Sequence, residues 1–137
     1  MVKKNKLKFC VVGCGNISLK YFIDGLKISE KSEVVVCVDR TDKKRELIKD
    51  RFGLNLETDF TKTLNDYDFD AVYLATPTGL HKDYAIIAAA NGKHILCEKS
   101  LASSYSDAEK MINAAKNNGV AIFEGFMYQF HNQNTYV

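Results

Sequence analysis

The stretch Gly13-Cys14-Gly15-Asn16-Ile17-Ser18 follows the pattern G-x-G-x-x-G at every place but the last. In that pattern the first glycine permits a tight turn and the second lets a pyrophosphate approach the backbone, while the N–H groups and dipole of the following helix attract the phosphates. Ser18 fills the third place, where a small residue keeps helix and strand close, and its extra atoms are expected to be tolerated. A glycine turn of this kind also occurs with no ligand. Here an apolar run precedes it, an amphipathic stretch follows, and Asp39 closes the next apolar run about twenty residues on, where a carboxylate can hold the ribose hydroxyls of an adenosine. A carboxylate there accepts from a free 2′-hydroxyl and repels a 2′-phosphate, so NAD is favoured. Arg40 beside it offers a phosphate partner, which keeps NADP open.

Two further constellations lie downstream. Ala75-Thr76-Pro77-Thr78-Gly79-Leu80-His81 follows an apolar run and falls where ligands of doubly wound sheets bind, although it also reads as an ordinary helix entry with Thr78 as N-cap. Gly92-Lys93-His94-Ile95-Leu96-Cys97-Glu98-Lys99-Ser100 ends a run in a Glu-Lys pair. A lysine at that edge can polarise a substrate hydroxyl or relay its proton, and the competing reading is a solvated surface pair.

The elements that must carry these residues alternate. Leu7 to Val12 reads as a strand stopped by Gly13, Asn16 to Ser29 as a helix with one apolar face, and Val34 to Val38 as a second strand. A polar helix from Asp42 to Phe52, a weak strand at Leu54 to Leu56, a short helix at Phe60 to Leu64 and a strong strand from Phe69 to Ala75 come next. Then follow a helix from Gly79 to Asn91 closed by Asn91-Gly92, a strand from His94 to Cys97, a helix from Tyr105 to Asn118 ended by Gly119, and a last strand from Val120 to Glu124. Strands that alternate with helices and are apolar throughout imply a mostly parallel six-stranded sheet covered on both faces, the doubly wound Rossmann form of the α/β class.

Composition agrees with a folded globular domain. The 137 residues are 46% hydrophobic and 26% charged, with a single proline. Nineteen basic and seventeen acidic residues are interspersed, giving +2, which lacks the basic patch that a nucleic-acid partner requires. The one basic cluster, Lys3, Lys4, Lys6 and Lys8, leads into an apolar run too short for a signal peptide, and no stretch is long and apolar enough for a membrane span. A cytoplasmic location is expected. Cys10, Cys14, Cys37 and Cys97 show no metal-ligand spacing, so no metal site is expected and the thiols are read as reduced core residues. Phe123, Phe126, Met127, Tyr128 and Phe130 crowd the end of the chain, and so apolar a patch suggests pairing with another copy or with a partner chain.

Taken jointly, Gly13-Cys14-Gly15-Asn16-Ile17-Ser18, Asp39, Ala75-Thr76-Pro77 with His81, and Gly92-Lys93-His94 leading to Glu98-Lys99 resemble the glucose-fructose oxidoreductase and inositol dehydrogenase (Gfo/Idh/MocA) family, over Leu7 to Phe130. The resemblance implies a hydride transfer between a nicotinamide and a secondary alcohol of a sugar, polyol or sugar nucleotide. It implies that Gly13, Gly15, Asn16, Ile17 and Asp39 bind the dinucleotide, that Thr76, Pro77 and His81 lie beside its nicotinamide half, that Glu98 contacts the nicotinamide ribose, and that Lys99 takes part in catalysis. Ser100 stands where the family carries a proline after the lysine, and Gln129-Phe130-His131-Asn132 replaces the family's usual Arg-Phe and Pro. Family members continue into a second α/β domain that supplies most substrate contacts and often a catalytic histidine. This sequence is expected to hold a dinucleotide domain at 1–124 and an aromatic segment at 125–137 leading toward a substrate domain that it lacks. His131 is expected to be a surface or interface residue and His94 a structural one. A truncated nucleotide-binding module without turnover of its own is the alternative reading.

Overall fold

The structure is a computed structural model and describes residues 6–135; Lys3 and Lys4 of the basic cluster lie outside the described residues. Strand β1, Leu7–Val12, carries a side chain to each face in turn, and both sets are buried from Phe9 onward. Phe9 and Val11 enter one core, and Cys10 and Val12 enter another. The same division runs through β2 (Ser32–Val38), β4 (Ala71–Leu74) and β5 (His94–Glu98), whereas the edge strands β3 (Leu56–Glu57) and β6 (Ile122–Gly125) each feed one core, through Leu56 and Ile122. All pair in parallel in the order β3-β2-β1-β4-β5-β6. Parallel strands need crossovers, and the helices supply them. Helices α1 (Ile23–Lys27) and α2 (Arg45–Phe52) cover one face through Ile23 and Ile48, whereas α3 (Phe60–Asp66), α4 (His81–Ala90) and α5 (Tyr105–Asn117) cover the other through Phe60, Ala85, Ala88 and Met111.

The strand order reverses between β1 and β4, so the chain leaves these neighbours in opposite directions and opens a crevice at their carboxyl ends. Both the glycine turn after β1 and the Thr-Pro turn after β4 face that crevice.

Some boundaries differ from the sequence reading. The helix expected over Asn16 to Ser29 begins at position 16 but widens to a π turn at Ser18–Phe22 before α1, which ends at Lys27. The Ser18 hydroxyl donates to the Gly13 carbonyl at 2.5 Å, and the Ile23 N–H reaches back five residues to Ser18. The weak strand lies at Leu56–Glu57 rather than Leu54 to Leu56, because Leu54 and Asn55 approach β2 before the ladder forms with Cys37 and Val38. Thr78 is not an N-cap: Thr78–Leu80 is a 3-10 turn, and α4 starts at His81 without side-chain capping. Gly92, with φ +68°, closes α4.

The four cysteines are free and buried. Burial, followed by the charge of the neighbouring Cys14, raises the Cys10 thiol, and burial pushes Cys97 up to about 12, with Glu124 and Glu98 adding to it. A thiol held protonated in the fold contributes stability below its unfolded value near pH ~8.5, and that contribution is lost as pH rises toward the folded value. Thermal midpoints should therefore fall steadily between pH 8.5 and 11, with aromatic disulfide reagents slow to label the native chain at pH 7. A midpoint constant across that alkaline window would contradict this assignment.

Candidate cofactor-binding site

Gly13 takes φ +94° and donates its N–H to the Val38 carbonyl at 2.8 Å. A Cβ there would lie 2.7 Å from the Ala75 carbonyl carbon and 2.8 Å from the Thr76 nitrogen, so only glycine lets the β1 turn lie against the β4 turn. Gly15 faces open space, with nothing within 4 Å of where its Cβ would stand. The Asp39 carboxylate faces this loop, accepting from the Cys14 N–H at 3.0 Å and from the Arg40 N–H at 2.7 Å. These two bonds fix the carboxylate against the wall of a cavity of about 190 Å³. Gly13, Gly15, Asp39, Arg40, Thr76 and Pro77 all line it, as do Lys44 and Tyr84. Lys44 crosses from the lead-in to α2, and its ammonium group donates to the Cys14 carbonyl. The Thr76 hydroxyl oxygen is buried with no partner among the described residues. A backbone cradle that a Cβ would close, an open glycine, a fixed carboxylate and an unpartnered hydroxyl fit a dinucleotide better than they fit water alone.

A second cavity, about 350 Å³ and almost wholly apolar, lies along the same carboxyl edge. Ile17, Phe22, Tyr73, Leu96 and Glu98 form its floor, and Met127 and Phe130 its rim. Glu98 ends β5 with its carboxylate held between the Tyr73 hydroxyl, which donates at 2.6 Å, and the Lys99 N–H, which donates at 3.3 Å. Tyr73 is itself fixed by a ring stacked on Phe22 at 3.7 Å, and Phe22 meets Phe9 edge-on. Burial, reinforced by the hydrogen bond to Glu98, raises the Tyr73 phenol, so the hydroxyl remains a donor. Lys99 follows, exposed, and the Lys99–Ser100 peptide is cis.

Of the sequence-predicted residues, six share the first cavity, Ile17 and Glu98 share the second, and Asn16 and Lys99 are exposed at the edge between strands and solvent. His81 lines neither cavity. Its ring is 1% exposed and lies among the carbonyl oxygens of Thr76, Ser100 and Leu101. His94 receives the Ala121 N–H on Nδ1 at 3.0 Å, which ties β5 to the lead-in of β6, and His131 is exposed and receives the Gln133 N–H two residues on, so each bonds to backbone. Sequence reasoning missed Lys44, Tyr73 and Tyr84. Lys44 stood in a polar helical stretch with several equivalent lysines, and Tyr73 is twenty-five residues from the carboxylate it holds. Only strand order makes β4 and β5 neighbours.

Fold and crevice together define a dinucleotide-type Rossmann domain. The family described as an oxidoreductase family with an NAD-binding Rossmann fold (Gfo/Idh/MocA) matches residues 7–126, and the chain belongs to it. It is 32% identical to D-xylose 1-dehydrogenase (NADP(+)) 2 of Haloferax volcanii, over 91% of this chain and 38% of that protein. The crystal structure of KijD10, a 3-ketoreductase from Actinomadura kijaniata in complex with TDP-benzene and NADP, superposes with a TM-score of 0.89 at 29% identity, covering 96% of this chain and 42% of that one. The WlbA dehydrogenase of Bordetella pertussis, in complex with NADH and UDP-GlcNAcA, superposes at 0.83 with 31% identity over 88% of this chain and 37% of that one. The chain spans about two-fifths of the length of the curated relatives it matches. Among the described residues no helix is long and apolar enough to cross a membrane.

Proposed function

We propose that this chain is the cofactor-binding portion of an NAD(P)-dependent oxidoreductase acting on a secondary alcohol of a sugar, polyol or sugar nucleotide. The observation that carries the reading is the contact of Gly13 with Ala75 and Thr76, which opens a cradle facing the fixed Asp39 carboxylate. A nicotinamide dinucleotide supplies the hydride acceptor and donor. Gly13 and Gly15 would admit its phosphates, and Asp39 would accept from the adenosine ribose. Arg40 and Lys44, on the same wall, offer cations to a 2′-phosphate, so the site suits NAD through Asp39 and tolerates NADP through its neighbours. Asn16 and Ile17 would lie under the middle of the dinucleotide. Thr76, Pro77 and Glu98 would flank the nicotinamide half, and Lys99 would exchange a proton with the substrate hydroxyl at the exposed end.

Millimolar NADH and NADPH should each raise the melting temperature. A ligand at one hundred times its Kd adds about 2.7 kcal/mol. No shift with either would remove the cofactor assignment. Nicotinamide absorbance with a panel of sugars and polyols then separates an enzyme, which reduces the cofactor, from a binding module, which does not.

The aromatic segment belongs to the same proposal. Residues 126–130 continue from β6 along the rim of the apolar cavity, with Phe126, Met127, Tyr128 and Phe130 between 51% and 83% exposed. On this side of the sheet α1 and α2 lie over β1 to β3, and Phe123 of β6 is left 66% exposed. We assign this surface to docking of a substrate-domain polypeptide of the kind that fills the rest of the relatives' length. Adding such a domain in trans should quench binding of a hydrophobic dye. Light scattering that shows a stable homodimer of this chain would give the surface to a second copy instead.

A further inference from the structure

We propose that His81 is a positioning residue whose imidazole clasps the turn after β4 to the turn after β5, setting the distance between Thr76–Pro77 and Glu98–Lys99. The inference rests on the function proposed above for these turns, and it gives His81 a role other than touching the cofactor. His81 opens α4, and at 1% exposure its ring has no path to a ligand. Nε2 lies 2.8 Å from the Thr76 carbonyl oxygen, and Nδ1 lies 3.1 Å from that of Ser100 and 3.2 Å from that of Leu101. Every partner is an acceptor, so only ring N–H groups bind here, to whichever turn the tautomer faces and to both when the ring is protonated. None of the three carbonyls belongs to a strand ladder, since β4 ends at Leu74 and β5 at Glu98. A histidine buried for packing alone would not gather carbonyls from two turns on one edge.

The clasp is one link in a continuous strap. Gly13 lies against Ala75 and Thr76, the Thr76 carbonyl meets His81, His81 meets Ser100 and Leu101, and the Leu101 N–H donates to Glu124 of β6 at 2.8 Å. Four strand ends are thereby tied at the edge where the cofactor would lie. Lys99 and Ser100 are themselves exposed, and the turn after β5 is held by His81, by the Leu101 N–H contact with Glu124, by the Lys99 N–H bond to Glu98 and by the Cys97 thiol, which donates to the Leu101 carbonyl at 3.7 Å. Removing the ring N–H groups takes the side-chain donor away from the Thr76 and Ser100 carbonyls and frees the β5 turn from the β4 turn.

The test compares H81F, which keeps a ring without donors, with H81Q, which restores an N–H donor, using two readouts. The first is hydrogen exchange on the chain without ligand. In H81F, exchange across residues 99–102 and 75–78 should rise about tenfold or more, while β1 and α5 keep their protection. In H81Q part of the protection should return. The second is the affinity for NADH against that for ADP-ribose, which lacks the nicotinamide. H81F should weaken NADH about tenfold and leave ADP-ribose within about twofold. Faster exchange spread evenly over the domain, or equal weakening of both ligands, would make His81 an ordinary core residue and overturn the proposal. Unchanged exchange at 99–102 would do the same. If the parent chain binds neither ligand, the function proposed above fails, and the exchange data still decide the clasp.

Discussion

Replacing Gly13 with alanine should unfold or severely destabilise the domain, whereas replacing Gly15 with alanine should leave it folded and spoil only ligand binding. The two glycines share a motif, but their surroundings demand different things. Gly13 takes φ +94°, a region that L-residues occupy at a cost of about 1–3 kcal/mol. Its new Cβ would also stand 2.7 Å from the Ala75 carbonyl carbon and oxygen, which are backbone and cannot swing aside. Forcing the β1 and β4 turns apart adds about 1–3 kcal/mol of overpacking. The two together approach half the stability of an ordinary domain, a fall in melting temperature on the order of 10 °C. Gly15 has no atom within 4 Å of its Cβ position and no positive φ, so Gly15→Ala should melt within about 2 °C of the parent. Its methyl group would occupy the space through which a phosphate reaches the backbone, and NADH affinity should fall by about tenfold or more. Thermal unfolding and NADH titration of both variants check the division. A Gly13→Ala chain that melts normally would show that the two turns can separate freely, which removes the geometric basis of the cradle.

The contrast between these glycines also marks what sequence reasoning reached. Spacing sufficed for the glycine loop and Asp39, because both lie in one βαβ unit whose geometry is set by local rules. Strand count, parallel pairing and two-faced coverage followed from apolar runs alternating with amphipathic ones. The wide π turn at Ser18–Phe22 did not follow, since the hydroxyl contact with Gly13 that accompanies it is not encoded in periodicity. His81 shows a deeper limit. Its place in a Thr-Pro motif suggested a ligand contact, yet its hydrogen bonds go to carbonyls around residue 100, reached only after β5 has paired with β4. Tyr73 was read as one apolar residue in a strand, and its hydroxyl proves to be the group that orients Glu98. Residues that act through a neighbour across the sheet remain silent until strand order is known.

Substitution of Lys99 should separate chemistry from binding at the other end of the site. Lys99 is exposed and lines neither cavity, so Lys99→Met should melt within about 2 °C of the parent and keep its NADH affinity within about twofold. With any sugar or polyol that the assay shows to be oxidised, its kcat should fall by about 10²–10⁴, the usual worth of a positioned proton donor or acceptor. Tyr73→Phe should behave differently. It keeps the ring that stacks on Phe22 but deletes the donor 2.6 Å from the Glu98 carboxylate. A hydrogen bond to a charged group is worth about 1.5–3 kcal/mol, so the variant should be less stable by about that amount and bind NADH several-fold more weakly. Because the Lys99 backbone N–H donates to the other oxygen of Glu98, a swinging carboxylate also loosens the lysine, and kcat should fall as Kd rises rather than alone. Full turnover by Lys99→Met would move the proton transfer to another group. A Tyr73→Phe chain with parental stability and kcat would show that Glu98 holds its orientation without the phenol.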